Sequence, residues 1–263
     1  NMENNKVSFL GLGVMGYPMA GHLSKAGYNV TIYNRTESKS DSWLKEYKGS
    51  KALTPREAVK DSKIVFACVG NDNDIKEICI GNNGAFSGMD KKAIFVDNTT
   101  ASADIARELY KTAKNDFSIS FLDAPVSGGE AGAVNGALTV MVGGDKNVFD
   151  IAKPYIDAYS QAVTLMGNSG AGQLTKMVNQ ICIAGLLQGL SEAINFGQKV
   201  NLDMEKVIGV IKDGAASSWQ MQNRHQTMAE NKFDFGFAVE WMRKDLKICL
   251  EQADEVGARL PIT

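Results

Sequence analysis

Short apolar runs alternate with segments of helical periodicity through the first two thirds of the chain. These runs lie at 7–10, 28–33, 64–69, 93–97, 137–142 and 162–166. The run 64–69 is continuously apolar and the run 93–97 nearly so, which is typical of parallel strands covered on both faces, whereas the run 28–33 alternates. Since helical segments separate the strands, the pattern predicts an α/β domain with a right-handed parallel sheet.

From position 167 onward the pattern is helical only. The segment 171–200 carries apolar or small side chains on almost every side, and a helix of that kind is buried. We therefore expect it to lie between two domains or at a subunit contact. Shorter helical patterns follow at 203–212 and 237–256. The chain is predicted to divide into an α/β domain at 1–166 and an all-α domain at 167–263.

Composition narrows the class of partner. The 263 residues carry 28 basic and 30 acidic side chains, a formal charge of −2, without long blocks of either sign. Nucleic acid and anionic membranes are therefore not expected partners. No apolar run reaches membrane-spanning length, and we expect no signal peptide. Four cysteines without C-x-x-C spacing and only two histidines favour a cytoplasmic protein with reduced thiols and no metal site.

A glycine motif gives the first functional signal. Glycines in G-x-G-x-x-G spacing stand between the first strand and a helix. In that context they allow a tight turn, close approach of the backbone to a pyrophosphate, and close packing of helix on strand. The helix N-terminus then faces the phosphates. We predict a Rossmann-type, doubly wound domain whose cofactor loop is Gly11, Leu12, Gly13, Val14, Met15 and Gly16.

The end of the second strand predicts which nicotinamide cofactor binds. An acidic residue there binds the ribose hydroxyls of NAD, whereas an arginine accommodates the extra phosphate of NADP. This chain has Asn34, Arg35 and Thr36, with no carboxylate before Glu37. Arg35 offers charge-assisted hydrogen bonds. A merely solvated arginine is the alternative, but with the glycine loop upstream we favour NADP.

Two further strand ends lie on the same predicted edge. The run at 64–69 leads into Val69 and Gly70, and the run at 93–97 leads toward Thr100. Ligands in such sheets bind outside the carboxyl ends of the strands. These three residues are therefore candidate cofactor contacts, although Thr100 could equally cap its own turn.

Two more segments carry candidate chemistry. Ser127, Gly128 and Gly129 follow a predicted strand, and adjacent glycines let backbone N–H groups converge on an anion such as a small carboxylate. A flexible loop is the alternative. On the helix 171–200, Lys176 and Asn179 share one face with two glutamines. A buried lysine is costly unless it is paired or functional, and the alternative is a lysine that extends to solvent.

Four separated segments together resemble the β-hydroxyacid dehydrogenase family, which includes 3-hydroxyisobutyrate dehydrogenases and glyoxylate/succinic semialdehyde reductases. They are FLGLGVMGYPMA (9–20), DAPVSGG (123–129), GAGQLTKMVN (170–179) and KDL (244–246). The resemblance implies a catalytic lysine at Lys176 and a substrate-site asparagine at Asn179. It also implies that Thr100 and Lys244 lie at the cofactor, and that Phe237 and Asp245 lie near the substrate.

The resemblance, together with the NADP preference indicated by Arg35, implies an NADP-dependent reductase of short semialdehydes in which Lys176 is the general acid and base. An oxidative 3-hydroxyisobutyrate or L-serine dehydrogenase is the alternative within the family, and a non-catalytic NADP-binding module is the alternative from another class. A homodimer or homotetramer is expected. Family members usually continue with one or two helices beyond the position of Thr263, so we expect the all-α domain to be truncated.

Overall fold

A computed structural model describes residues 5–235 and 238–263 of the chain. These residues divide into two compact units, one ending at Lys176 and the other comprising Met177–Thr263. The division falls within one long helix, and the boundary predicted at 166/167 remains a prediction of the sequence. Within the described ranges, no helix is both long and apolar enough to cross a membrane.

Nine strands of the first unit form one sheet. They are β1 (Lys6–Leu10), β2 (Asn29–Tyr33), β3 (Ser50–Lys51), β4 (Ile64–Ala67), β5 (Ile94–Asp97), β6 (Ser120–Asp123), β7 (Val126–Ser127), β8 (Leu138–Gly143) and β9 (Ser160–Gly167). Their order across the sheet is β3-β2-β1-β4-β5-β6-β8-β7, and β9 pairs with β8. The order reverses beside β1, which is the position where doubly wound sheets bind ligands.

Helices separate the strands of this unit, as predicted. They are α1 (Gly16–Lys25), α2 (Glu37–Glu46), α3 (Pro55–Ala58), α4 (Asp72–Ile80), α5 (Ala103–Thr112), α6 (Gly129–Val134), α7 (Lys146–Ile156) and the start of α8 (Ala171–Lys199). A π-helical turn, Ala113–Phe117, extends α5, and short 3₁₀ turns occupy Phe86–Gly88 and Asp157–Tyr159. Ser102 caps α5, because its hydroxyl accepts a hydrogen bond from the Ile105 N–H.

The strands β1 to β6 are mutually parallel, but β8 is not. It runs antiparallel to β6 and β7 and parallel to β9. The prediction of a wholly parallel sheet was therefore wrong at this edge. The physical reason lies in the connection: the chain turns back after β7 through the six-residue helix α6, and a strand that returns directly beside its predecessor is antiparallel.

Both faces of the sheet are covered, as the apolar runs indicated. Along β1, Val7 and Phe9 belong to one buried cluster and Leu10 to the other. Along β4, Phe66 and Val65 divide between the same two clusters. Because successive side chains of a strand point to opposite faces, this alternation shows that each face packs against its own layer of helices.

The carboxyl ends of five strands lie in one row. Pairing aligns Tyr33 with Leu10, Leu10 with Ala67, Ala67 with Asp97 and Asp97 with Asp123. Neighbouring strands lie about 4.8 Å apart. Every loop that follows one of these residues therefore leaves the sheet at the same edge.

Helices are the regular secondary structure of the second unit in its described residues, and loops connect them. It contains the remainder of α8, together with α9 (Met204–Ile211), α10 (Trp219–Ala229) and α11 (Val239–Val256). Its core joins Leu190 and Ile194 of α8 to Ile208 and Met221. On other sides of α8, Val178 and Phe196 are 62% and 66% exposed. Among the described residues, α8 is therefore not fully buried, although its composition led us to expect burial, because α9 and α10 pack on one side of it. The expected subunit contact remains a prediction.

Asp97 is a buried carboxyl at the end of β5. Its Oδ1 accepts a hydrogen bond of 2.9 Å from the Thr99 N–H, whereas its Oδ2 has no hydrogen-bond partner in the described part of the chain. Burial raises the pKa of Asp97 to about 7, the hydrogen bonds from Thr99 oppose this rise, and the carboxylates of Asp123 and Asp72 add to it. Folding therefore favours the protonated form of this side chain.

We expect the free energy of unfolding to fall as the pH rises from about 4 to about 7, since an unfolded aspartate ionises in that range whereas folded Asp97 retains its proton. Asp97→Asn removes this contribution. The free energy of unfolding of the variant, relative to that of the unchanged protein, should therefore be about 3 kcal/mol higher at pH 8 than at pH 5. Urea unfolding at both pH values measures the difference, with the exposed Asp116→Asn as control. An equal effect of Asp97→Asn on the free energy of unfolding at both pH values would contradict a raised pKa of Asp97 in the folded protein.

Candidate functional site

The three glycines of the loop after β1 meet different surroundings. A Cβ on Gly11, whose φ is +97°, would lie 2.3 Å from the Cys68 carbonyl oxygen. A Cβ on Gly16 would lie 2.1 Å from the Gly11 carbonyl oxygen. A Cβ on Gly13 would meet no described atom within 4 Å. The packing of the protein therefore requires the first and third glycines, whereas the second faces open space.

The start of α1 is suited to an anion. No side chain caps it, and its first turn contains no acidic residue. Its N–H groups and the positive end of its dipole are therefore not neutralised by a carboxylate of the helix itself. The open side of Gly13 leaves room beside this helix end. These features fit the pyrophosphate of a dinucleotide.

Asn34 joins the glycine loop to the end of β2. Its Oδ1 accepts a hydrogen bond of 2.8 Å from the Leu12 N–H, and its Nδ2 donates one of 3.0 Å to the Thr36 carbonyl oxygen. The glycine loop, which is predicted to approach the phosphates, and the turn expected to meet the ribose are thus fixed to each other. Asn34 lies where the sequence predicted a cofactor contact, but its side chain also holds the protein together.

Arg35 and Glu37 have different surroundings after β2. Arg35 is exposed, and no carboxylate in residues 5–235 or 238–263 forms a salt bridge with it. Glu37 forms an ion pair of 2.6 Å with Lys51. The first carboxylate after the strand is therefore engaged on the protein surface, while the guanidinium remains available.

The ends of β4 and β5 are also connected. The Val69 N–H donates a hydrogen bond of 3.0 Å to the Thr99 hydroxyl. Thr100, which follows, is partly buried, and so is Gly70. The candidate contacts Val69, Gly70 and Thr100 therefore emerge on the edge defined by the aligned strand ends.

The segment Ser127–Gly129 forms a turn of defined geometry. Ser127 ends β7 and pairs with Thr139 of β8. Gly128 and Gly129 have φ values of +134° and +63°, a backbone conformation that favours glycine. A Cβ on Gly129 would meet no described atom within 4 Å. The turn thus offers open backbone beside the Ser127 hydroxyl.

His22 connects α1 to the far end of α6, a role that the sequence did not suggest. Its Nε2 lies 2.9 Å from the Ala133 carbonyl oxygen and 3.0 Å from that of Val134. The helix of the glycine loop therefore holds the helix that begins at Gly129. No local signal reveals this contact, because the residues lie 111 positions apart.

Asp123 caps α8 from the end of β6. Its carboxylate accepts hydrogen bonds from the N–H groups of Gly170 at 2.8 Å and of Gln173 at 3.1 Å. Burial raises the pKa of Asp123, and the hydrogen bonds from Gly170 and Gln173 oppose that rise. The start of the helix is thereby fixed to the sheet. Lys176 follows within a turn of the helix and is 8% exposed.

The candidate residues of the second unit form a short polar chain. Asn179 donates to Gln180 at 2.9 Å, and Gln180 donates to the Asp245 carboxylate at 2.8 Å. Lys244 forms an ion pair of 3.2 Å with the other oxygen of Asp245. Asp245 is buried. Phe237, also predicted from the resemblance, lies outside the described residues.

Comparison with known proteins places these features in a family. The sequence profile described as the NAD binding domain of 6-phosphogluconate dehydrogenase matches residues 6–167. The profile described as NAD-binding of NADP-dependent 3-hydroxyisobutyrate dehydrogenase matches residues 170–263. Together these profiles match nearly all of the chain, in the order that the two parts of the sequence predict.

Individual relatives agree with these matches. An uncharacterized oxidoreductase of Shewanella frigidimarina is 57% identical over 98% of this chain and 88% of its own length. The 2-hydroxy-3-oxopropionate reductase of Escherichia coli is 34% identical over 98% and 87%. A Mycobacterium tuberculosis 3-hydroxyisobutyrate dehydrogenase structure with L-serine is 26% identical, with a TM-score of 0.88 over 98% of this chain and 89% of that one.

The nucleotide-binding sheet and the helical unit that follows it define an NAD(P)-binding oxidoreductase. Within that class, the chain belongs to the β-hydroxyacid dehydrogenase family, as the four sequence segments indicated. Members of this family are hydroxyacid dehydrogenases that use NAD(P).

Gly13→Ala tests whether the open side of the loop receives a phosphate. The added methyl group would meet no described atom within 4 Å, so the melting temperature without cofactor should not change. The affinity for NADPH, measured by calorimetry, should fall at least about tenfold because the backbone can no longer approach the pyrophosphate. Gly189→Ala, at another glycine with open surroundings, is the matched control. Unchanged affinity of the Gly13 variant would exclude a phosphate at this position.

Proposed function

We propose that the protein is an NADP-dependent reductase that converts short, carboxylate-bearing aldehydes, such as semialdehydes and glyoxylate, to the corresponding hydroxy acids. The observation that carries the proposal is the buried Lys176 near the capped start of α8. Burial of an ammonium group costs free energy, and a buried lysine beside a predicted cofactor edge is therefore a candidate functional group. The E. coli relative named as a 2-hydroxy-3-oxopropionate reductase supports the substrate class.

Lys176 is the proposed general acid and base. During reduction its ammonium group donates a proton to the carbonyl oxygen that becomes the hydroxyl, and during oxidation the neutral amine accepts that proton. When bound, the dinucleotide supplies or accepts the hydride. Ser127, the N–H groups of Gly128 and Gly129, and Asn179 would hold the substrate carboxylate. From the family resemblance we also propose that Phe237 and Asp245 lie near the substrate and that Lys244 lies at the cofactor.

The proposed NADP preference rests on the turn after β2. Arg35 is exposed there, next to Asn34, whose side chain holds the glycine loop. The nearby Glu37 is paired with Lys51, so it does not compete for a ribose hydroxyl. A planar guanidinium suits the 2′-phosphate of NADP, which it can bind through two parallel hydrogen bonds.

An oxidative role is the second candidate. The M. tuberculosis neighbour is a 3-hydroxyisobutyrate dehydrogenase whose structure includes L-serine, and the same proton transfer serves both directions. The third candidate, a non-catalytic NADP-binding module, is disfavoured because such a protein has no need of a buried lysine. We also propose a homodimer or homotetramer, and the exposed apolar side chains of α8, such as Phe196, support it.

Replacing Lys176 with Ala tests the proposed reaction. Loss of the general acid should lower kcat for NADPH-dependent reduction of 2-hydroxy-3-oxopropionate, glyoxylate or succinic semialdehyde by about 10²- to 10⁴-fold. NADPH affinity should remain within about threefold, because the proton-transfer group is not a proposed cofactor contact. Lys199→Ala, an exposed lysine of the same helix, is the matched control. Unchanged turnover of Lys176→Ala would exclude Lys176 as the general acid. If the unchanged protein binds NADPH but turns over none of the aldehydes, 3-hydroxyisobutyrate or L-serine, the non-catalytic binding module is favoured.

Arg35→Ala tests cofactor preference. Loss of a charge-assisted hydrogen bond worth about 1.5–3 kcal/mol should weaken NADPH binding by about 10- to 100-fold. NADH binding should not change, because NADH lacks the 2′-phosphate. Fluorescence titration with both cofactors measures this, and the exposed Arg259→Ala controls for loss of a positive charge. A parallel loss for both cofactors would mean that Arg35 supports the turn and does not select NADP.

A further inference from the structure

A buried glutamine joins the predicted cofactor edge to the helix that carries Lys176. Gln173 is fully buried. Its Nε2 donates a hydrogen bond of 2.7 Å to the Thr99 carbonyl oxygen, and its Oε1 accepts one of 3.1 Å from the Ala101 N–H. The two backbone groups flank Thr100, the candidate cofactor contact after β5. One side-chain amide thus fixes both sides of that residue.

The backbone of Gln173 is fixed as well as its side chain. Its N–H donates to the Asp123 carboxylate, which also binds the Gly170 N–H. Asp123 is paired in register with Asp97, the residue from which the Thr99–Ala101 segment continues. The glutamine therefore binds the ends of two adjacent strands at once, β5 through its side chain and β6 through its backbone.

Gly172 leaves the start of α8 no room to shift toward the sheet. A Cβ at this position would lie 2.5 Å from the Met141 carbonyl oxygen and 2.7 Å from that of Asp123. The helix backbone therefore lies directly against the ends of β6 and β8. Lys176 follows Gln173 by three residues, which is slightly less than one helical turn.

We infer that Gln173 is a positioning residue that sets the place of the Lys176 ammonium group relative to Thr100 at the cofactor edge. The role suits an amide, because an amide donates to the Thr99 carbonyl and accepts from the Ala101 N–H at the same time and does not change its protonation state. Gln173 touches neither substrate nor cofactor in this role and acts through Lys176. The inference rests on the proposed function, since it assumes that Lys176 transfers the proton.

The Gln173→Met variant removes both side-chain hydrogen bonds at nearly constant volume. Displacement of a reacting group by about 1 Å can lower a rate by about 10²-fold. We therefore expect kcat per cofactor-binding site to fall by about 10²-fold, with a smaller change in the KM for the aldehyde. Gln188→Met, an exposed glutamine of the same helix, is the matched control and should not change kcat.

A double-mutant cycle separates positioning from a structural role. If Gln173 acts through Lys176, adding Gln173→Met to Lys176→Ala should change the remaining kcat by less than about twofold. A purely structural effect would lower the rate by the same factor in both backgrounds. Rates are expressed per site titrated with NADPH, so that unfolded protein does not contribute.

Gln173→Glu provides a second variant if the methionine variant does not fold. The carboxyl group still accepts from the Ala101 N–H but donates to the Thr99 carbonyl only while it is protonated. We therefore expect the kcat of this variant to fall relative to that of the unchanged protein as the pH is raised, and to do so only when Lys176 is present. Multiplicative losses in the cycle, or a kcat equal to that of Gln188→Met, would overturn the inference. Retained turnover in Lys176→Ala alone would instead overturn the proposed function.

Discussion

Parallel pairing brings the last residues of five strands into one row, from Tyr33 through Leu10, Ala67 and Asp97 to Asp123. Backbone hydrogen bonding fixes this row, so the loops that follow begin side by side even though they come from distant parts of the sequence. The glycine loop, the Asn34 turn, the Thr99–Ala101 segment and the capped start of α8 all depend on it. A slip of one residue in any of these pairs would turn that strand's side chains to the opposite face and displace its loop.

Much of this arrangement is predictable from local sequence. Continuous apolar runs identify buried parallel strands, and G-x-G-x-x-G identifies the loop after β1 because its chemistry needs a strand before it and a helix after it. The capping role of Ser102 is likewise local, because its hydroxyl binds the N–H of Ile105, three residues further along the chain. The right-handedness of parallel crossover connections then limits the topologies that these strands and helices can form.

The parts that escaped prediction depend on contacts between distant residues. The antiparallel direction of β8 follows from the return of the chain through α6, and a run of apolar residues does not state its direction. His22 binds carbonyl groups more than a hundred positions away. Gln173 was visible only as one polar residue on a helix face, and Asp123 only as the first letter of a family motif. Their functions become apparent when the partner atoms are known.

The hydrogen bond between Asn34 and the Leu12 N–H has an evolutionary consequence. An aspartate at this position would still accept that bond, so an acidic residue that favours NAD can arise here while the glycine loop stays in place. A lysine or arginine here offers no acceptor and would release the loop. Stronger selection for NADP must therefore arise at neighbouring positions such as Arg35 or Thr36. At the position of Asn34, a substitution that favours NAD therefore keeps the hydrogen bond to the glycine loop, whereas a basic substitution that favours NADP loses it.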